Sequence, residues 1–296
     1  MARGNRAAKW SSKVPLTFGV LNSGGCRGMS PTPPGGGEAP ATPHGFAAEK
    51  AGAQSDHQTK TMAMIEVRGL TKHFGSQAAL RGIDLDVRRG EFLTVVGPNG
   101  AGKTTLMRIL ATLTQPTEGQ VRVGGYDLTQ QPAAARRLMG FVSHQPLLYD
   151  DLTAEENLRF YARLYGVSEA KAQISAALSW VGLTARRGDL VRTFSRGMKQ
   201  RLAIVRALLH DPLLLLLDEP YAGLDQEAVV VFRKILAVLR CRERTVVMTT
   251  YNLERGAALA DRVAMLVEGR IVDEVPTSDL DEAALAARYE RAVRGR

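Results

Sequence analysis

At 296 residues the chain can bury one large core or two small ones, and its formal net charge of +9 suits nucleic acid or an anionic membrane face. No basic stripe interleaved with aromatics decides between these, and apolar runs such as Leu213 to Leu217 fall far short of the roughly 18 to 20 residues that span a bilayer. The two cysteines, Cys26 and Cys241, lack metal-ligand spacing and exclude a disulfide framework, as expected of a reducing compartment.

Residues 1 to 61 are rich in glycine and proline, including Pro33-Pro34-Gly35-Gly36-Gly37, and lack a sustained hydrophobic period, so they are expected to be disordered. Arg3, Arg6, Lys9 and Lys13 precede the apolar stretch Val14 to Leu21 and Cys26. That stretch is short and interrupted by threonine and glycine, too weak for a secretory signal. The preferred reading starts translation at Met62 or Met64, with a single domain over residues 62 to 296.

Ile65 and Val67, then Ile83, Leu85 and Val87, alternate with polar residues as half-buried antiparallel strands do. Phe92 to Val96 is almost wholly apolar, the pattern of a strand buried on both faces. It runs into Gly97-Pro98-Asn99-Gly100-Ala101-Gly102-Lys103-Thr104-Thr105, which opens a helix-like segment. Glycines in this turn let backbone N–H groups point inward at anionic oxygens beside a helix N-terminus. Lys103 can then reach the β- and γ-phosphates of a nucleotide, and the Thr104 hydroxyl can hold magnesium.

Val121 and Val123 return to alternation before Gly124-Gly125, which completes a mixed sheet around the phosphate loop. Thr153-Ala154-Glu155-Glu156 forms a capping box, and Leu158, Tyr161, Ala162 and Tyr165 follow at helical spacing. A second helix is predicted over roughly 169 to 181. A third starts after Ser195 and carries Leu202, Val205, Leu208 and Leu209 until Asp211-Pro212 stops it. Strands at Leu213 to Leu217, Thr245 to Thr250, Val263 to Val267 and Ile271 to Val275 then alternate with helices. The pattern is an α/β core with crossover connections and a helical insertion at about 145 to 205.

The run Leu213 to Leu217 delivers Asp218 and Glu219 at the C-terminal end of a buried strand, the edge where ligands of open α/β sheets sit. Asp218 is expected to bind magnesium, directly or through water, and Glu219 to polarise the attacking water.

In order and spacing, these motifs resemble the ATP-binding cassette (ABC) ATPases across nearly all of residues 64 to 280. The resemblance rests on Phe74, the phosphate loop, Gln145, Phe194-Ser195-Arg196-Gly197-Met198, Asp218-Glu219-Pro220 and Gly223-Leu224-Asp225. It implies a P-loop NTPase fold with a mixed-sheet core, an antiparallel β subdomain and an inserted helical subdomain. ATP and Mg2+ are the implied nucleotide and cofactor. Phe74 is then the aromatic that stacks on adenine, and Gln145 the glutamine that touches magnesium and water while sensing a membrane partner. Ser195 and the Gly197 N–H bind the γ-phosphate held by a second subunit, and Asp225 lies at the dimer interface.

The resemblance further implies a polytopic membrane permease as partner and a homodimer or a paired second ATPase. It places the chain peripherally on the cytoplasmic face of the cell membrane. The combination of Tyr149 to Leu158, Ser195 to Met198 and Glu219 to Gln226 is most similar to the haem exporter ATPase of cytochrome c biogenesis. A drug or polysaccharide exporter ATPase is the alternative. A soluble ABC ATPase acting on nucleic acid or ribosomes is a second, disfavoured because the chain has one cassette and a short insertion.

The pattern departs from the family after the strand Thr245 to Thr250, where Tyr251 stands at the position of a histidine that contacts the γ-phosphate. A tyrosine hydroxyl donates one hydrogen bond but carries no positive charge at neutral pH. The expectation is slower turnover with ATP binding retained. Adequate substitution by tyrosine and a non-hydrolysing scaffold are the alternatives.

Overall fold

The structure, a computed structural model, describes residues 63–224, 226–241, 244–279 and 281–294. Asp225 and the expected disorder of residues 1 to 61 lie outside them. The described chain opens on an antiparallel hairpin of β1 (Ala63–Phe74) and β2 (Gln77–Arg88), both longer than their alternating cores suggest. β3 (Phe92–Val96) leads into α1 (Lys103–Leu110), and β4 (Glu118–Val123) with β5 (Tyr126–Asp127) extends the hairpin's sheet. Next come α2 (Pro132–Leu138), β6 (Met139–Val142) and three helices, α3 (Ala154–Leu164), α4 (Ala170–Trp180) and α5 (Arg196–Leu208). The C-terminal part is β7 (Leu214–Asp218), α6 (Gln226–Cys241), β8 (Thr245–Thr250), α7 (Leu253–Ala257), β9 (Arg262–Val267), β10 (Arg270–Pro276) and α8 (Glu282–Arg294).

Two sheets result. The smaller is antiparallel, in the order β2-β1-β4-β5. The larger, β10-β9-β3-β8-β7-β6, is parallel except for its edge strand β10. Side chains alternate across a strand, so each central strand feeds two cores. Leu93, Val95, Leu214, Leu216 and Val247 pack with α1 and the antiparallel sheet. Phe92, Leu215, Leu217, Val246 and Met248 pack on the other face with residues of α5 and α6. This double burial explains why these strands read as unbroken apolar runs.

The helices follow their local signals. Thr153 and Glu156 form the reciprocal capping box that starts α3, and the Ser195 hydroxyl caps α5 by accepting the Met198 N–H at 3.3 Å. Among the central strands β8 lies between β3 and β7, so the C-terminal ends of all three open on one edge.

Candidate functional site

The loop between β3 and α1 is held by contacts that only glycine permits. A Cβ on Gly97 would stand 2.1 Å from the Leu266 carbonyl oxygen. Gly102, with φ of 106°, would bring one within 2.6 Å of the Ala79 oxygen. The loop is pinned from outside as well, because the Ala101 oxygen accepts the Gly269 N–H at 2.9 Å. Gly97 to Gly102 therefore form a fixed turn, and Lys103, Thr104 and Thr105 begin the helix.

Lys103 is buried and its ammonium folds back into the loop, donating to the Gly97 oxygen at 2.7 Å and the Pro98 oxygen at 3.1 Å. It also stands 3.4 Å from Glu219 Oε1. A buried ammonium surrounded by oxygens is suited to phosphate oxygens by the same chemistry.

β7 carries Asp218 to the sheet edge, where its Oδ1 accepts the Thr104 hydroxyl at 3.2 Å and the Thr249 hydroxyl at 2.7 Å. A hydroxyl and a carboxylate side by side are hard oxygen donors, which fits magnesium. Glu219 has the left-handed φ of 49°, and its N–H lies 3.2 Å from both the Thr249 carbonyl and hydroxyl oxygens. Burial pushes its carboxyl above the usual range, opposed by the Lys103 ammonium and reinforced by Asp218. A half-shielded carboxyl raised in this way suits a group that must attract a proton from water. The main-chain N–H of Tyr251 also donates to this carboxylate.

Thr249 is the residue that sequence reasoning missed. Its signal was a threonine within a buried strand, one residue from the end that faces the acid pair. It is fully buried and tied to both acids.

The side chains of the other candidates make no hydrogen bond to this centre among the described residues. Phe74 is 54% exposed at the end of β1, with the Lys72 ammonium 5.0 Å from its ring centre. Gln145 is exposed after β6, and its carbonyl accepts the Ser143 hydroxyl at 2.5 Å. Ser195 is exposed and Gly197 half-buried at the start of α5, where a Cβ on Gly197 would touch Ala228 at 3.1 Å. An open cavity of about 330 Å3, lined by His144, Pro146, Phe194, Arg196, Lys199 and Gln200, lies between the Gln145 segment and that helix start. The Tyr251 side chain is 58% exposed, and Asn252 beside it caps α7.

The family profile described as ABC transporter matches residues 80–222. The ABC transporter ATP-binding protein NatA of Bacillus subtilis (strain 168) is 38% identical over 197 residues, 66% of this chain and 80% of that protein. The daunorubicin/doxorubicin resistance ATP-binding protein DrrA of Streptomyces peucetius is 38% identical over 75% of this chain and 68% of its own length. Among solved structures, an ATP-binding subunit of an ABC transporter superimposes with a TM-score of 0.71 at 31% identity, covering 77% of this chain and 99% of that one. The ATP-binding cassette MJ0796, dimeric in a post-hydrolysis state with ADP and Pi, gives 0.67 at 27% identity over 72% of this chain and 99% of that one. The loop that cradles a buried lysine and the acid pair it faces thus sit in a fold and a sequence that agree: the chain belongs to the ABC transporter family, as an ATP-binding, ATP-hydrolysing subunit.

Proposed function

We propose that the chain is the ATPase of an exporter, in which ATP draws two ATPase subunits together and hydrolysis releases them to drive a membrane partner. The observation that carries this is the convergence of Lys103, Thr104, Asp218 and Glu219 at one sheet edge. In this reading Gly97 to Thr105 hold the phosphates and Phe74 stacks on adenine. Thr104 and Asp218 hold magnesium with Gln145, which supplies charge stabilisation when bound, and Glu219 takes the proton of the attacking water.

Among the described residues Ser195 and Gly197 make no hydrogen bond to the phosphate loop, and their polar groups are assigned to the nucleotide of a second subunit. We take that subunit as a second copy, the MJ0796 cassette being dimeric in its solved structures, and assign Asp225, outside the described residues, to the interface. Tyr251 supplies no charge at the γ-phosphate and slows the chemical step.

A membrane partner is supported by an exposed aromatic patch beside Gln145. Tyr149 is 49% and Phe160 42% exposed, their rings 5.1 Å apart, with Leu147 and Leu164 flanking them. Apolar area of this kind on a folded surface marks a protein contact. No helix among the described residues is long and apolar enough to cross a membrane. For cargo, relatives with names in linearmycin, daunorubicin and bacitracin handling favour the drug-exporter alternative over haem export. Losing resistance to a hydrophobic antibiotic on gene deletion, with c-type cytochromes unchanged, is the expected result.

Steady-state hydrolysis by the purified chain tests the catalytic reading. Glu219→Gln is expected to cut turnover about 100- to 1000-fold while nucleotide affinity stays within about threefold, and chelation of magnesium to abolish turnover. Turnover unaffected by Glu219→Gln contradicts the assignment.

A further inference from the structure

α5 lies directly on the edge strand β6. A Cβ on Gly140 would stand 2.4 Å from the Ala207 carbonyl oxygen, so the two backbones touch. Side chains on either side of that contact cap the strand's outward carbonyls. Arg206 donates to the Phe141 oxygen at 2.5 Å, and His210 Nε2 lies 3.0 Å from the Met139 oxygen. Each also meets an aromatic ring in or just after α3: the Arg206 guanidinium lies 5.1 Å from the Tyr161 ring centre, and His210 stacks on Tyr165 at 3.9 Å.

Arg206 is an expensive way to hold a strand. It is 6% exposed, its Nε has no hydrogen-bond partner, and no carboxylate among the described residues pairs with it. A buried charge compensated by a carbonyl and the Tyr161 side chain, with no carboxylate beside it among the described residues, is poor for stability compared with an apolar side chain of similar volume. Its position offers another use. β6 runs directly into the Gln145 segment, and the hydroxyl of the same Tyr161 donates to the Leu147 carbonyl at 2.7 Å. Leu147 has a left-handed φ of 50°, so this segment holds a tight shape that one hydrogen bond helps to fix. Arg206 thus grips the base of the Gln145 segment, Tyr161 grips its far end, and the two side chains rest on each other.

We infer that Arg206 and Tyr161 are a positioning pair that fixes the Gln145 segment relative to α5, the helix that begins at Ser195. The pair ties the glutamine of one phosphate site to the serine that serves the other. Tyr161 also packs edge-on against Phe160 of the exposed aromatic patch, with ring centres 5.2 Å apart. A partner pressing on that patch displaces Tyr161 and, through the Leu147 carbonyl, Gln145. The inference rests on the proposed roles of Gln145 and Ser195 and adds the connection between them.

Tyr161→Phe in the full chain removes one hydroxyl and keeps the ring, so it remains informative even if Arg206→Met does not fold. It is expected to lower kcat for ATP roughly fivefold with KM within about twofold, and to speed hydrogen exchange of residues 143–149 about tenfold. Arg206→Lys keeps a donor but not the flat guanidinium, and is expected to fall between wild type and Arg206→Met. Combined with Gln145→Ala, Tyr161→Phe adds no further loss of kcat. Unchanged kcat and exchange in Tyr161→Phe overturn the inference, and so does an additive loss in the double variant. Should Gln145→Ala leave kcat intact, the catalytic role of Gln145 fails and exchange alone judges the pair: acceleration at 143–149 supports it and no change overturns it.

Discussion

Tyr251 is the residue whose chemistry departs furthest from its surroundings. Its main-chain N–H reaches the Glu219 carboxylate while its side chain stays mostly in solvent, and the proposed role at the γ-phosphate falls to the phenol. A neutral phenol cannot match an imidazolium against charge that builds on the γ-phosphate. Tyr251→His is therefore expected to raise steady-state ATP turnover at least about tenfold at pH 7 with little change in ATP affinity. Equal rates would show that the hydroxyl suffices. The residues legible in the sequence were those whose chemistry lies in one short run. Lys103 and Thr104 follow a glycine turn, and Asp218 and Glu219 end an apolar strand. Thr249 was not legible because its role exists only once β8 lies beside β7 and aligns it with Asp218.

At the scale of elements, the contact between α3, α5 and β6 carries a pH dependence. Burial pushes the His210 imidazole down to about 4, against an ordinary value of 6.5, so it is neutral in the folded protein through the mildly acidic range. The unfolded chain takes up a proton below 6.5 that the folded chain refuses until about 4, and stability therefore falls as pH drops through that window. Between pH 7 and pH 5 the loss from this group is about 2 kcal/mol, checked by urea unfolding of wild type and His210→Phe. The variant is expected to lose that part of the acid sensitivity while keeping an aromatic against Tyr165, and an identical pH profile would exclude the histidine as its source. α3 and α5 were readable from a capping box and an apolar stripe. α2 and β6 were not, because seven and four residues show too little of either period, and β6 is defined by its pairing with β7 and by α5 lying across Gly140.

For the whole molecule, the proposed need for another copy follows from two groups of site residues on separate elements. Lys103, Thr104, Asp218 and Glu219 are joined by short contacts, whereas Ser195 and Gly197 stand at the start of α5 and make no hydrogen bond to these groups among the described residues. The family fold was legible because its motifs are spread along most of the chain in fixed order. The cargo was not, and the relatives with names in linearmycin, daunorubicin and bacitracin handling do not support the expected haem export. The central claim is that ATP completes its site only between two chains. Sedimentation of purified Glu219→Gln, expected to bind ATP while consuming it about 100- to 1000-fold more slowly, tests this most directly. The predicted result is a doubling of mass with saturating ATP and magnesium, absent with ADP and lost when Ser195→Arg is added; a protein that binds ATP at one site per chain yet stays monomeric would contradict it.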